Sequence, residues 1–407
     1  MVENVKELLK LHEEITHQVY LDNENSSIVP QEVVAAMLPY FNKVAYGNPT
    51  LTHKPGWEAF EVMMHSFQKI SKYLGAKILE EVTFTPGESE ANNLAIMGSC
   101  FAQKEKGKKI VISEVEPINV LHAAEMMQKF GFTVTKVPVD YEGFLDMEKL
   151  REVVDKETIL VSVATVNNEL GTIQNIKEAV QIVKDKNPQI LFHTDAADAY
   201  GRISFNVQDL GVDLATVSSY KIQGPRGIGA MYLREGVNLD RIVEGQIGTQ
   251  KLWPGIENTP LIVGFTKASE FAFENFEANT TKMRFLRDKL VNGLFSELVD
   301  LRFNGPKGEM RSPDNANVSI MRAEGEALTI ELSLKGVYLS SGSACSRRLL
   351  QPSHVLVAIG RRFEEAHGSV LMKTTRYLTE EDIAYVLKVF PEAVNRIRRI
   401  VGSTGVE

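Results

Sequence analysis

The chemistry most readily suggested by this chain gathers around one lysine. An apolar run over 214–217 leads into Ser218-Ser219-Tyr220-Lys221 and breaks at Gly224-Pro225. A buried strand that ends in a functional loop has this pattern. A lysine held at such a place can be desolvated into a nucleophile that bonds carbonyl compounds, and the hydroxyls beside it can hold a phosphate. Lysines that follow strands are more often simply solvated, so the neighbouring clusters have to decide.

Three other clusters carry chemistry. Thr85-Pro86-Gly87-Glu88-Ser89-Glu90 joins a strand to a helix. Free N–H groups at that helix start, with the Ser89 hydroxyl, make a phosphate seat, and a capping box is the competing reading. His193-Thr194-Asp195-Ala196-Ala197-Asp198 closes an apolar strand with two carboxylates. An aspartate there can pair with a protonated ring nitrogen, or serve as a helix cap or a metal ligand. The scattered histidines and cysteines show no metal-ligand spacing, so no metal site is expected. Lysine, seat and aspartate together point to pyridoxal phosphate. Finally, Ser340-Ser341-Gly342-Ser343-Ala344-Cys345-Ser346-Arg347-Arg348 sets a cysteine among small residues with two arginines close behind. Exposure and positive charge lower a thiol pKa, so Cys345 reads equally as a reactive thiol and as a core residue. Cys100 follows an amphipathic helix and reads as core.

Positioning these groups requires an alternating scaffold. The apolar periodicity predicts a strand at 82–85, a helix over 90–103, a strand at 109–112 and a helix over 119–130. Further strands follow at 133–138, 159–164, 190–193 and 214–217, with helices near 147 and over 177–184 between them. Strands alternating with helices form a mostly parallel sheet covered on both faces, with ligands beyond the carboxyl ends of the strands. The polar clusters above all fall at such ends. Upstream, the pattern predicts an N-terminal helix, a strand at 19–23, and helices over 30–45 and 57–74. After Gly255 the texture changes to helices over 261–275, 281–298, 326–334 and 380–400, with short strands near 301, 316–320 and 337–340. We expect a large α/β unit over 16–257 and a smaller α+β unit over 258–407, on which helix 1–15 packs.

The composition narrows the setting. At 407 residues, 43% hydrophobic and 24% charged, the chain has the makings of a soluble protein of two or three cores. Its 45 basic and 53 acidic residues give a net charge of -8 without a basic run, which argues against nucleic acid and against electrostatic attachment to a membrane. Two cysteines make no disulfide framework, and the charged N-terminus holds no signal or membrane span. A cytoplasmic protein is expected.

With these residues in view, the chain resembles the cysteine desulfurases, a group within the pyridoxal-phosphate-dependent class V aminotransferases of fold type I. The resemblance runs from Tyr20-Leu21-Asp22-Asn23 to Thr379-Glu380-Glu381-Asp382-Ile383. It rests on Tyr46-Gly47-Asn48-Pro49, Glu90-Ala91-Asn92-Asn93-Leu94-Ala95, Asn167-Asn168-Glu169-Leu170-Gly171-Thr172-Ile173-Gln174, Ser340 through Cys345, and Pro352-Ser353-His354-Val355-Leu356. It implies a mostly parallel seven-stranded sheet in the large domain and a homodimer that shares its phosphate sites. Lys221 matches the Schiff-base lysine, Asp195 the partner of the pyridine nitrogen, and Asn168 the amide beside cofactor and substrate. Gly87, Glu88, Ser89 and Ser218 fall on the phosphate side of the cofactor site. Cys345 matches the nucleophile that takes sulfur from L-cysteine as a persulfide, releases alanine, and passes the sulfur to an acceptor or iron–sulfur scaffold protein.

Four positions depart from the family. Pro117 follows Glu116 where the family has a histidine stacked on the cofactor, so that acid/base role is vacant. Asp198 replaces a glutamine that donates to the ring oxygen, and would donate only if protonated. Tyr220 replaces a histidine before the lysine but keeps a hydroxyl for the phosphate. Leu371 stands where an arginine grips the substrate carboxylate, with Arg376, Arg347 or Lys373 as stand-ins. Trp253-Pro254-Gly255-Ile256 also replaces an Arg-Ser-Gly-Thr pattern in the segment reaching the partner subunit. The intact set favours persulfide formation for iron–sulfur clusters or thiolated products. The departures leave two other readings: a pyridoxal phosphate reaction on a different amino acid, and a weakly active scaffold with Cys345 as an iron–sulfur ligand or sulfur carrier.

Overall fold

A computed structural model describes residues 9, 10, 12, 15–342 and 352–403. Cys345, Ser343 and Arg347 lie outside the described residues, as does most of the expected N-terminal helix.

The apolar runs fold into a seven-stranded sheet of β2 (Val82–Thr85), β3 (Lys109–Ser113), β4 (Thr133–Val137), β5 (Thr158–Ser162), β6 (Leu191–Asp195), β7 (Leu214–Ser218) and β8 (Gly229–Leu233). Its order is β2-β8-β7-β6-β5-β3-β4. Six strands share one direction, and β8 runs against its neighbours β7 and β2. Successive residues alternate between two cores. Val161, Phe192, Val217 and Ala230 pack on one face. Leu160, Leu191, Leu214 and Met231 pack on the other. Both faces being dry is why β3, β5 and β7 read as near-continuous apolar runs, whereas β4 at the edge is partly exposed and reads Thr-Val-Thr-Lys-Val.

A third core surrounds a four-stranded antiparallel sheet of β9 (Leu301–Phe303), β10 (Asn315–Ile320), β12 (Ser340–Ser341) and β13 (Ser369–Lys373), in the order β12-β13-β10-β9. Val318, Val370 and Met372 of this sheet meet Leu286, Leu290, Leu332 and Phe390 from helices Phe276–Glu297, Gly325–Ser333 and Glu380–Ser403. The strand β1 (Val19–Tyr20) pairs in parallel with β11 (Val337–Tyr338), and Val19 and Leu21 pack in this core. Conversely, Ile262, Phe265, Ala268 and Ala272 of helix Thr259–Glu274 pack in the first core. Segments are exchanged near the expected boundaries at residues 16 and 257. Amphipathic segments on either side of those points cross over to cover the other sheet.

The helix expected over 30–45 is two, Gln31–Met37 and Pro39–Asn42, since Pro39 has no N–H to continue the first. Phe192, fully buried on β6, is three residues before Asp195 and supports the strand that delivers it. Phe192→Ala is expected to cost about 3–5 kcal/mol in urea unfolding, the usual penalty for emptying an aromatic core site; a loss under 1 kcal/mol would show that β6 does not depend on it.

Candidate active site

The carboxyl ends of β5, β6 and β7 open at one edge of the large sheet, and the clusters around Ser89, Asp195 and Lys221 converge there. Lys221 sits in the short 3-10 turn Tyr220–Ile222, three residues past β7, with 1% of its surface exposed. The turn closes tightly: the Gly224 N–H donates to the Ser219 carbonyl at 3.0 Å. A Cβ at 224 would lie 2.1 Å from Ser219 Oγ, so only glycine lets the chain return so close.

Lys221 Nζ donates to Glu24 Oε1 at 2.6 Å and to Asp198 Oδ2 at 2.9 Å. The other oxygens of the same two carboxylates are taken by Lys373, which meets Glu24 Oε2 at 2.6 Å and also binds Asp198 Oδ1. Arg202 Nη1 adds a third cation to Asp198 at 3.2 Å, while its Nε meets Asp314 Oδ2 at 2.7 Å. Burial pushes the Lys221 pKa down, but the carboxylates of Asp198 and Glu24 more than reverse this and hold it well above the usual lysine range. Burial would raise the Asp198 carboxyl, yet Lys221, Lys373 and Arg202 hold it far below the carboxylate range. Asp198 is therefore an ionised acceptor. The alternative in which it is protonated and donates to a ring oxygen does not match this geometry.

Asp195 ends β6 in a different environment. Its Oδ2 accepts from Asn92 Nδ2 at 2.6 Å and its Oδ1 from the Ala197 N–H at 2.9 Å. Burial, and then the nearby Glu88 carboxyl, push its own carboxyl well above the carboxylate range. Such a group suits a cationic partner, which a protonated ring nitrogen would supply. Glu88, Gly87 and Ser89 lie at the start of helix Glu88–Gln103. Gly87 is the cap residue, and Ser89 is exposed in the first turn, so the expected capping box at Ser89 does not form. The Glu88 carboxyl accepts from Asn119 Nδ2 at 3.0 Å and lies 3.5 Å from the Tyr220 hydroxyl. Ser218 Oγ, at the end of β7, is buried with no hydrogen-bond partner, as is Asn168 Oδ1. These unmet polar atoms and the cation-free Asp195 fit a phosphorylated pyridine aldehyde.

Asn168 donates from Nδ2 to Glu24 Oε1 at 3.1 Å, which draws the Asn167-Asn168-Glu169 loop to the lysine. Pro117 is buried at the start of helix Ile118–Met127, and Leu371 is buried on β13 two residues before Lys373. Arg376 reaches the carbonyl of Ile222 at 3.0 Å. Sequence reasoning missed Glu24 and Arg202. Arg202 carried a signal, lying four residues after Asp198, the spacing of one helical turn. Glu24, in the polar run Asp22-Asn23-Glu24-Asn25, carried none.

Behind the site, His193 Nδ1 lies 2.9 Å from Ser162 Oγ and Nε2 lies 3.1 Å from Thr216 Oγ1, which links β5, β6 and β7. Glu116 accepts from the Ala164 N–H at 2.8 Å. Burial moves this carboxyl well above its ordinary range. Among the described residues, no group of three or more His, Cys, Asp and Glu side chains could hold a metal ion.

Residues 19–386 match the class-V aminotransferase family. The chain is 40% identical over 384 residues to cysteine desulfurase IscS of Clostridium botulinum, covering 94% of this chain and 96% of that protein. It is 40% identical over 379 residues to cysteine desulfurase IscS 1 of Archaeoglobus fulgidus, covering 93% and 97%. Among solved structures, a NifS-like protein superposes with a TM-score of 0.87 at 33% identity, covering 93% of this chain and 100% of the other. SspA in complex with cysteine reaches 0.76 at 29% identity, covering 89% and 100%.

The histidine behind the site makes stability depend on acid. Burial lowers the His193 pKa to about 3, against about 6.5 in an unfolded chain. Between those values the unfolded state binds a proton that the folded state does not, so this contribution is present above about pH 6.5 and is lost as pH falls. In urea unfolding, the stability advantage of the native chain over His193→Asn should shrink by about 1.4 kcal/mol per pH unit below pH 6.5. An advantage that stays constant with pH would contradict a neutral His193.

Proposed function

The chain belongs to the class-V aminotransferase family, and from that membership we propose that it is a pyridoxal-phosphate-dependent cysteine desulfurase. The observation that carries this is the buried Lys221 amine at the carboxyl edge of the sheet, with the cation-free Asp195 on the neighbouring strand. Lys221 is the amine for the cofactor aldehyde, Asp195 the carboxylate for its ring nitrogen, and Asn168 the amide beside both cofactor and substrate. The Ser218 hydroxyl, the N–H groups at the start of helix Glu88–Gln103 and the Tyr220 hydroxyl would hold its phosphate. When bound, the cofactor supplies the electron sink for bond breaking in an amino acid. Cys345 takes the sulfur: L-cysteine and the Cys345 thiol become alanine and a Cys345 persulfide, which balances without any oxidant. The sulfur then passes to an acceptor or scaffold protein for iron–sulfur clusters or thio-cofactors. Two cysteines in 407 residues suit a reducing, cytoplasmic setting, and among the described residues no helix is long and apolar enough to cross a membrane.

Pro117 and Leu371 stand where the resemblance implies a proton-transferring histidine and a carboxylate-binding arginine. Leucine offers no charge, and this favours a second reading, in which the same machinery acts on another amino acid. Leu38, Phe41, Tyr46, Leu51, Trp57 and Phe60 stand exposed within residues 38–60, with Phe41 at 60% and Trp57 at 61%. So much exposed apolar surface supports a homodimer through this face.

Purified protein given pyridoxal phosphate should show a cofactor absorbance band that Lys221→Ala abolishes. With L-cysteine and a reductant it should release alanine and sulfide, and Cys345→Ala should lose at least 100-fold of this, roughly the scale for removing an activated nucleophile. Turnover of a different amino acid that survives Cys345→Ala would establish the second reading instead. In light scattering, Trp57→Glu should convert a dimer to monomer; a monomeric native chain would refute the dimer.

A further inference from the structure

The Lys221 pocket contains a second buried lysine that the proposed chemistry does not use. Lys373, also 1% exposed, reaches Glu24 and Asp198 from β13 on the other sheet. Each carboxylate therefore holds one lysine on each oxygen: Glu24 holds Lys221 on Oε1 and Lys373 on Oε2, and Asp198 holds Lys221 on Oδ2 and Lys373 on Oδ1. With Arg202 and Asp314, three cations face three carboxylates, and the buried set carries no net charge. An amine bonds an aldehyde only through a free lone pair, so Lys221 must give up a proton before it can act. The set is then left with two cations for three carboxylates in a largely buried site.

Resting on the reading of Lys221 as the cofactor-bonding amine, we propose that Glu24 and Lys373 act on it in opposition. Glu24 locks Lys221 as the ammonium, and Lys373 holds the same two carboxylates so that Lys221 can be released as the free amine. Asp198 contributes to the lock but also holds Arg202 at 3.2 Å, whereas among the described residues Glu24 forms close ion pairs with the two lysines alone and meets Arg202 only at longer range. The other groups facing Lys221 are the Tyr220 ring, 5.4 Å from Nζ, and the Glu88 carboxyl at the start of its helix. Asn168 is a neutral donor to Glu24 and leaves this balance of charge unchanged. Lys373 and Glu24 are thus positioning residues that act through Lys221.

Both substitutions remove the same ion pair, so a structural role would move them together. The proposal requires opposite movements. Glu24→Gln leaves a cation beside Lys221 with less negative charge to hold its proton, so free amine forms at lower pH. Lys373→Met leaves Glu24 to Lys221 and Asp198 to Lys221 and Arg202, so Lys221 faces less competition for both carboxylates and free amine forms only at higher pH. The test uses cofactor-free protein. Carbamylation of Lys221 by cyanate is followed against pH by mass spectrometry, and capture of pyridoxal phosphate by absorbance and borohydride trapping. Glu24→Gln should shift both profiles to the acid side by about one unit or more, hence about tenfold faster capture at pH 7. Lys373→Met should shift them to the alkaline side by a similar amount, and Lys373→Arg should restore the native profile. Should Glu24→Gln fail to fold, Glu24→Ala carries the same expected direction. Shifts of the same sign, or none, overturn the proposal. If pyridoxal phosphate is not captured at any pH, the proposed activity fails, and the cyanate profiles still decide whether Glu24 and Lys373 oppose each other.

Discussion

Charge taken out of water has to be matched by charge, and that constraint organises this molecule. Six ionic groups meet around Lys221, and they come from both halves of the fold. Asp198, Arg202 and Lys221 follow β6 and β7 of the large sheet; Glu24 follows β1, Asp314 precedes β10, and Lys373 ends β13. Removing one partner from a buried pair typically costs about 3–5 kcal/mol, a large share of the 5–15 kcal/mol that holds most domains together. Any shift of one sheet against the other would strand a buried charge, so the cluster fixes their relative placement at the one place where chemistry is needed.

The large sheet makes this convergence possible. Parallel strands deliver their carboxyl ends to a single edge, and β6 and β7 lie side by side there. The antiparallel β8 matters too. Since β8 returns directly beside β7, the segment between them is short, and Lys221 is held in a closed turn rather than on a long loop. Asp195 and Asp198 differ by three positions but occupy opposite electrostatic settings. One is left without a cation and the other is surrounded by three, so two residues of one type become a neutral-prone acceptor and a fixed anion.

Much of this was legible from sequence wherever a signal was local. The strands around 109–112, 159–164 and 214–217 stood out because strands buried on both faces are near-continuous apolar runs. The lysine, the aspartate and the helix start stood out because each interrupts such a run. What stayed hidden had no local mark. The strand β8 is five residues long and begins Gly-Ala, and β13 ends in Lys373, which the sequence offered only as a stand-in for a substrate-gripping arginine. Glu24 looked like any acidic turn residue, because its significance lies in a contact with Lys221, 197 residues further along the chain. Charge clusters assembled from distant segments leave no periodicity to read.

That spacing also sets an order in time. Glu24 is made first, Asp198, Arg202 and Lys221 follow it, and Lys373 comes later than all of them. A nascent chain therefore holds the reactive lysine and both of its carboxylates well before it holds the second lysine that balances them. The complete pocket comes into existence only once β13 has been made, which ties readiness for the cofactor to the arrival of that strand.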